Sequence, residues 1–443
     1  MSKGLDKTRP FYFFNMNIDF LYSKFLELKK ISTDTRKETK GSIFFCLKGS
    51  NFNGNNYALD AIKKGAEIVI VDEKIHKKDP KLYYVNNVLN CLQDLAKKHR
   101  ETLKIPVFAI TGTNGKTSTK NLIYDVLKQK YNTKKTSGNF NNHIGLPLTI
   151  LSIDKNHEIA VLEFGASKLG DIQELCEIGK PTHGLITNIG NAHLQEFINV
   201  KNIINTKTEL WKYLIKNKGT IFLNTDDKNL VNKRKINKVY SSYNNIYEYG
   251  STSDNVQIIE SNPYLNFKWE NKLVKTKIVG EYNLINIIAS INIGKFFGVD
   301  LNKIKEVLTN YKFKNNRSEL IKTKYNQIIL DAYNANPSSM MIAIKSFIKL
   351  KTNFEKVIIL GDMLELGDDT IKFHKEIIEY LHFKKIKNCI LLGDIFLKIS
   401  CDFLKFKSKE QLVKNLSKEK IKQKLILIKG SRKMKLETLI DTL

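Results

Sequence analysis

Gly112, Gly115, Lys116 and Thr117 stand together in the run Ala109–Lys120, AITGTNGKTSTK. That combination suits the handling of phosphate. An apolar segment, Pro106–Ile110 (PVFAI), leads straight into the glycines. Leu122, Ile123, Val126 and Leu127 then recur at helical spacing. Glycines let backbone N–H groups wrap anionic oxygens, and the start of a helix adds positive dipole. Lys116 would reach the β/γ-phosphates of a nucleotide and the Thr117 hydroxyl would bind Mg²⁺. Thr113, Asn114 and Ser118 complete the loop. The general pattern G-x-x-x-x-G-K-[ST] is not met, because only Thr113 and Asn114 separate Gly112 from Gly115. An ordinary glycine-rich strand–helix turn is the alternative.

Two further residues fall at strand ends. Glu163 follows IAVL, and His193 lies just after GLITNIG. In an open parallel sheet, ligands bind beyond the carboxyl ends of the strands. A phosphate loop, a carboxylate and an imidazole converging there would suit a magnesium–nucleotide site. Taken singly, a Glu is usually a solvated charge and a His usually a packed or surface residue.

The elements that must position these residues form three blocks. The first, residues 1–103, carries short β-rich runs at Ser42–Leu47 and Glu67–Val71, with a helical stretch at Tyr57–Lys64. The second, 104–313, alternates strand-like segments (Pro106–Ile110, Ile159–Leu162, Gly184–Ile189) with helical patterns, which reads as βαβ and a parallel sheet. The third, 314–443, repeats the alternation with Gln327–Leu330, Lys356–Leu360, Asn388–Leu392 and Leu425–Ile428. The polar stretch Tyr311–Asn316 (YKFKNN) marks the junction. The expected class is α/β throughout.

Composition narrows the function. The 443 residues carry a formal charge of +28, which invites a nucleic-acid reading. Yet only six of the 73 basic residues are arginine (Arg9, Arg36, Arg100, Arg234, Arg317, Arg432), whereas phosphate and base recognition draws on the forked guanidinium. Lysine is spread along the chain with abundant Asn and Ile, so no specific nucleic-acid partner is expected. Each retained arginine is correspondingly informative. The five cysteines are scattered, without a CxxC, as free thiols of a reducing compartment would be. No apolar run reaches membrane-spanning length, and the N-terminal residues lack the apolar stretch of a secretory signal. A cytoplasmic monomer is the expectation.

The TGTNGKT loop resembles that of the Mur ligase family, which shares it with folylpolyglutamate synthases. Other stretches extend the resemblance across nearly the whole chain: Thr33–Arg36 (TDTR), Leu47–Gly54 (LKGSNFNG), Gly138–Leu148 (GNFNNHIGLPL), Glu163–Ser167 (EFGAS), Thr187–Leu194 (TNIGNAHL), Asp331–Pro337 (DAYNANP), Gly361–Gly367 (GDMLELG) and Lys429–Arg432 (KGSR). They narrow it to members that join D-alanyl-D-alanine to UDP-N-acetylmuramoyl-tripeptide. The resemblance implies a three-domain architecture with a central P-loop ATPase sheet and a Rossmann-like C-terminal domain. It also implies ATP and Mg²⁺, an acyl phosphate made from the peptide carboxylate, and attack on it by the dipeptide amine.

By the same resemblance, Lys116 stabilises the γ-phosphate, while Thr117, Glu163 and His193 hold Mg²⁺. Lys207 matches a carbamylated lysine that supports a second Mg²⁺, which requires an uncharged amine and so a lowered pKa. Asn283 and Asn286, in GEYNLIN, match nucleotide-proximal asparagines, with Tyr282 where a His is usual. Arg317 and Asp331 match residues that close over ATP; an interdomain salt bridge is the other reading. Thr35, Arg36, Lys48 and Gly49 match the uridine-nucleotide end, with Asn55 in place of a common His. Asn334 and Asn336 match the loop near the incoming dipeptide, or serve as turn-formers. In DAYNANP, Ala332 replaces a more usual Ser.

Three rivals make distinct predictions. A ligase for the third peptide residue should carry a DNPR-type motif, which is absent. A folate polyglutamylase should lack the first block. A basic P-loop protein acting on nucleic acid should show steeply salt-dependent binding to polynucleotide.

Overall fold

The computed structural model describes residues 17–75, 79–190, 199–417 and 420–443. They fall into two compact units. One holds the described residues up to Ile105 with Thr136–Glu158 and Glu174–Lys180. The other holds Pro106–Lys135, Ile159–Gln173 and Pro181–Leu443.

In the first unit, four parallel strands lie in the order Ile31–Ser32, Ile43–Phe45, Ile68–Val71, Leu82–Tyr84. The inner pair, IFF and IVIV, is buried at every residue. Such unbroken apolar runs belong to parallel strands covered on both faces. Between them a two-stranded hairpin (Lys48–Gly49 with Phe52–Asn53) and a 3₁₀ turn lead into the helix Ala58–Lys63. Arg100 is buried near the end of the helix Val88–Thr102. Its guanidinium donates to Leu103 O at 2.7 Å and to Gly179 O and Lys180 O at 2.9 Å. This retained arginine is thus a clamp on carbonyls.

The second unit contains a six-stranded parallel sheet in the order Ile246–Tyr249, Thr220–Asn224, His183–Ile186, Val107–Thr111, Ile159–Glu163, Thr133–Lys135. Its central strand VFAIT is wholly buried. The pairing register sets Thr111 beside Ile186 and Ile110 beside Glu163. Three strand ends therefore open onto one place. The helix Lys116–Leu127 buries Leu122, Ile123, Val126 and Leu127 against the helix Leu284–Phe296. That second helix, LINIIASINIGKF, is apolar nearly all round and largely buried. Its few polar side chains bond to nearby groups: Ser290 Oγ donates to Ile287 O at 2.7 Å and Asn292 Nδ2 to Ile288 O at 3.0 Å.

An antiparallel meander, Gln257–Ser261, Tyr264–Trp269 and Lys272–Val279, was not anticipated from the helical and parallel patterning. Its signal is the two-residue alternation in KLVKTKIV, where Val274, Thr276 and Ile278 point inward.

The C-terminal sheet runs Glu319–Lys322, Gln327–Leu330, Lys424–Lys429, Glu355–Gly361, Cys389–Leu392, Leu404–Phe406, parallel except for its first edge strand. Alternate residues of one strand feed two cores. Ile358 and Leu360 pack with Phe347 and Ile377, while Val357 and Ile359 pack with Leu412 and Leu439. Both faces are therefore covered, as a doubly wound sheet requires. Between the central and C-terminal sheets, Asn315, Asn316 and Ser318 adopt left-handed backbone with φ of 62°, 60° and 48°. Asn tolerates that region better than most residues other than glycine. Among the described residues no helix is long and apolar enough to cross a membrane.

Candidate functional site

The loop after Val107–Thr111 is shaped by its two glycines. Gly112 has φ of 138°, and a Cβ there would sit 2.0 Å from Thr187 Oγ1. Gly115 has φ of 79°, and its Cβ would meet Asn286 Oδ1 at 2.8 Å. Gly115 is also the N-cap of the following helix, and no side-chain cap bond forms there among the described residues. The first-turn N–H groups are thus available to a ligand.

The loop after His183–Ile186 cinches this cradle. Thr187 Oγ1 and Asn188 Nδ2 donate to Asn114 O, at 2.6 and 3.0 Å. In return Asn114 N donates to Asn188 Oδ1 at 3.0 Å, and Thr113 N to Asn188 O at 2.9 Å. Gly190 N donates to Thr113 Oγ1 at 3.0 Å.

Lys116 curls back so that Nζ donates to Gly112 O at 2.8 Å and Thr113 O at 3.0 Å. Burial lowers its pKa; the Glu163 carboxylate opposes that shift and the Arg317 charge adds to it. Thr117 Oγ1 donates to Glu163 Oε1 at 3.1 Å. It also accepts from Arg317 Nη2 at 3.1 Å. Arg317 lies with its guanidinium carbon 3.6 Å from the Tyr333 ring centre, and that of Arg432 is 4.7 Å from it. The buried Arg317 Nε and Thr111 Oγ1 have no partner among the described residues. An orphaned cationic donor beside a glycine cradle is what an anionic ligand would satisfy.

Lys207 ends the helix Val200–Lys207 and is 3% exposed. Burial, then the charge of Lys116, holds its pKa down at about 7, against the pull of Asp171 and Glu209. Glu209 meanwhile accepts from Gly170 N at 2.8 Å and Gln173 N at 2.9 Å, fixing the start of the next helix in space.

A family model described as the Mur ligase middle domain matches residues 110–294, one described as the glutamate ligase domain matches 316–432, and one described as the Mur ligase family catalytic domain matches 27–106. The chain is also 35% identical over 429 residues to the UDP-N-acetylmuramoyl-tripeptide--D-alanyl-D-alanine ligase of Bacillus subtilis, covering 93% of this chain and 92% of that protein. The chain belongs to the Mur ligase family. The Escherichia coli protein of the same description is 29% identical, with 94% of both chains covered. Among solved structures, MurF from Acinetobacter baumannii superposes with a TM-score of 0.83 at 27% identity, covering 94% of this chain and 93% of that one. MurF ligase from Thermotoga maritima in complex with ADP gives 0.80 at 28% identity, covering 94% and 97%.

In this Mur ligase the structure brings together Gly112, Thr113, Asn114, Gly115, Lys116, Thr117, Glu163 and Arg317, with Ser118 buried in the first helical turn. Asn286 takes a supporting place. Its Oδ1 accepts from Thr119 Oγ1 at 2.9 Å, and its Nδ2 donates to Asn283 Oδ1 at 3.0 Å. Asn283 in turn donates to Val279 O at 2.8 Å. Both asparagines are buried and tie the phosphate-loop helix to its neighbour.

Asp331 forms no salt bridge with Arg317. Its Oδ2 accepts from the buried Lys429 Nζ at 2.6 Å and its Oδ1 from Ser318 N at 3.1 Å. Tyr282 OH shares a 2.7 Å bond with Ser318 Oγ, so one path runs Tyr282, Ser318, Asp331, Lys429. Asn336 caps the helix Pro337–Lys349 in a capping box with Ser339, and its Nδ2 donates to Asn114 Oδ1 at 2.8 Å. Asn334 is exposed, and its carbonyl accepts from Lys429 at 3.3 Å. His193 lies outside the described residues.

In the first unit Arg36 pairs with Asp34 at 2.8 Å, and Thr35 O accepts from Lys64 Nζ at 2.8 Å. Lys48 Nζ reaches Asp72 and Glu73, each at 2.9 Å. Gly49 lies against the Phe52 ring, which its Cβ would meet at 2.3 Å. Asn55 bridges Asp72 at both ends: Nδ2 donates to Oδ1 at 2.9 Å, and Asp72 N donates to Asn55 Oδ1 at 3.2 Å.

Lys120 was overlooked in the sequence. Its ammonium is 3.2 Å from Glu163 Oε2, both side chains being almost wholly buried. Its signal was the four-residue step from Lys116, which puts both lysines on one helix face. A second lysine in a lysine-rich chain gave no reason to single it out.

Proposed function

We propose that this chain is an ATP-dependent amide ligase that joins D-alanyl-D-alanine to UDP-N-acetylmuramoyl-tripeptide, completing the pentapeptide precursor of peptidoglycan in the cytoplasm. The observation that carries the reading is the assembly of Lys116, Thr117, Glu163 and Arg317 on one glycine cradle, in a chain that aligns over 93% of its length with a ligase of that description.

A carboxylate resists acylation because its charge and resonance repel an amine. In the proposed reaction a carboxylate oxygen of the tripeptide attacks the γ-phosphorus of ATP, and ADP leaves. The dipeptide amine then attacks the acyl carbon, inorganic phosphate departs, and the amine loses a proton. The protein's share is in-line positioning and charge neutralisation. Lys116 and the first-turn N–H groups face the phosphates, and Arg317 brings a fork from the C-terminal sheet.

Thr117 Oγ1 and Glu163 offer the hard oxygen donors a magnesium ion takes. When bound, that ion draws charge from the phosphates. Lys207, whose pKa of about 7 leaves much of its amine uncharged at neutrality, can take up CO₂ as a carbamate and so become a further oxygen donor. In the first unit Thr35, Arg36, Lys48 and Gly49 are assigned to the uridine nucleotide, and Asn334 and Asn336 to the dipeptide side. The functional division is 1–103 for the UDP substrate, 104–313 for ATP and 314–443 for the dipeptide and closure; the gaps between the family-model matches, at 106–110 and 294–316, support it.

The test is phosphate release from ATP and Mg²⁺ with one substrate omitted at a time. Release that needs both the tripeptide and D-Ala-D-Ala, with the pentapeptide seen by mass spectrometry, is expected. Release indifferent to both but stimulated by polynucleotide would instead favour the nucleic-acid rival.

A further inference from the structure

Lys120 is the residue of this site whose chemistry is still unaccounted for. The helix Lys116–Leu127 packs against the strand Ile159–Glu163, and Thr117 and Lys120, three residues apart, both reach from it to Glu163. Glu163 is fixed from the other side, being the last residue of a strand paired in register with the central one. Its two carboxylate oxygens are used differently. Oε1 accepts from the Thr117 hydroxyl at 3.1 Å, and Oε2 lies 3.2 Å from Lys120 Nζ. Lys120 is 1% exposed and Glu163 2%. Water therefore does not compete for this pair, and a buried ion pair of this kind holds its geometry because parting it would strand a charge.

The consequence concerns how Glu163 can meet a cation. A carboxylate with both oxygens available grips a large divalent ion with the two together. One with an oxygen already engaged can offer only the other. Calcium accepts bidentate carboxylates in flexible shells, whereas magnesium demands a small octahedral arrangement and takes single oxygens.

We propose that Lys120 sets the metal preference of the site: by holding Glu163 Oε2 it leaves Oε1 alone to a divalent cation beside the Thr117 hydroxyl, which favours magnesium over calcium. Lys120 is a positioning residue, acting through Glu163 and touching neither nucleotide nor peptide. The inference rests on the reading of this cradle as a nucleotide–divalent site.

The experiment uses the full-length chain with ADP and Mn²⁺, following displacement of protein-bound Mn²⁺ by Mg²⁺ or Ca²⁺ through the manganese EPR signal, with an ADP-only control. Wild type is expected to release Mn²⁺ to Mg²⁺ at concentrations at least tenfold below those needed with Ca²⁺. Lys120→Met should shrink that ratio at least fivefold, and Lys120→Arg, which keeps a cation to pair with Oε2, should retain most of it. An unchanged ratio in folded Lys120→Met, or a ratio that rises, overturns the role of Lys120 and leaves the nucleotide site standing. Failure of wild type to bind Mn²⁺–ADP at all overturns both. A structure of the wild-type chain with ADP and Mg²⁺ needs no variant. Oε1 alone on the ion, with Oε2 still on Lys120, supports the proposal; a cation gripped by both oxygens refutes it.

Discussion

Asn336 Nδ2 donates to Asn114 Oδ1 at 2.8 Å, joining the cap of a C-terminal helix directly to the phosphate loop. The same side chain does two jobs, since its Oδ1 accepts from Ser339 N at 2.8 Å as the helix cap. Asn336→Asp separates them. It keeps the capping oxygen and loses the donor to Asn114, so thermal stability should stay within about 0.5 kcal/mol of wild type while KM for ATP rises several-fold. Asn336→Ala loses both, and should also destabilise by about 1 kcal/mol. Melting curves alongside ATP kinetics check the pair of variants. Equal KM in wild type and Asn336→Asp would remove the contact from nucleotide binding.

Gly112→Ala tests the cradle itself. The new methyl would sit 2.0 Å from Thr187 Oγ1 and 2.9 Å from Thr187 N, on a backbone with φ of 138°. Because the second obstacle is main chain, the loop must move. ADP affinity, measured by calorimetry, should fall at least a hundredfold. Retained affinity would mean that the loop conformation described here is not the binding one.

Lys207 couples chemistry to pH. Its pKa of about 7 lies well below the ordinary lysine value. The unfolded chain therefore binds more protons than the folded one between pH 7 and about 10, and stability rises with pH across that window. Below pH 7 the charged amine is buried at full cost. Lys207→Met relieves this, so its melting temperature relative to wild type should be more favourable at pH 6 than at pH 9 in CO₂-free buffer. Lys207→Ala should abolish ligation, with partial rescue by a short carboxylate or bicarbonate. Full activity without any additive would take Lys207 out of the mechanism.

Asn55 tests the first unit. Asn55→Ala removes both bonds to Asp72 and should cost about 1–3 kcal/mol, as loss of a buried hydrogen-bond partner does. Burial alone would raise the Asp72 pKa, but Lys48, Asn55 and the Val88 N–H together hold it below the usual value. A carboxylate so depressed contributes stability that is complete at neutral pH and lost as pH falls through its folded pKa. The deficit of Asn55→Ala should thus be largest at neutrality and shrink in acid. A constant deficit from pH 7 to pH 3, followed by denaturant titration, would disconnect Asn55 from the Asp72 charge.

What could be read from the sequence follows from how local the signals are. The phosphate loop was legible because glycine, lysine and threonine must be near neighbours in the chain to wrap phosphate, and Gln327–Leu330 because a buried parallel strand is a plain apolar run. Glu163 reached the site by pairing register, which its place after IAVL already implied. The partners of Asp331 and Lys120 were not legible. Lys429 lies 98 residues from Asp331, and nothing in either neighbourhood specifies the other. The meander at 257–279 was missed because its alternation is interleaved with lysines that read as surface.

The phenol of Tyr282, bonded to Ser318 Oγ beside the left-handed linker, gives the joint between the two sheets one further property. Burial pushes this hydroxyl above its ordinary range, far from neutrality. An imidazole at that position would gain charge as its surroundings acidify and so loosen or tighten the joint with every such change. With tyrosine there, this hydroxyl of the articulation keeps its proton across the whole span of acidity in which a living cell operates.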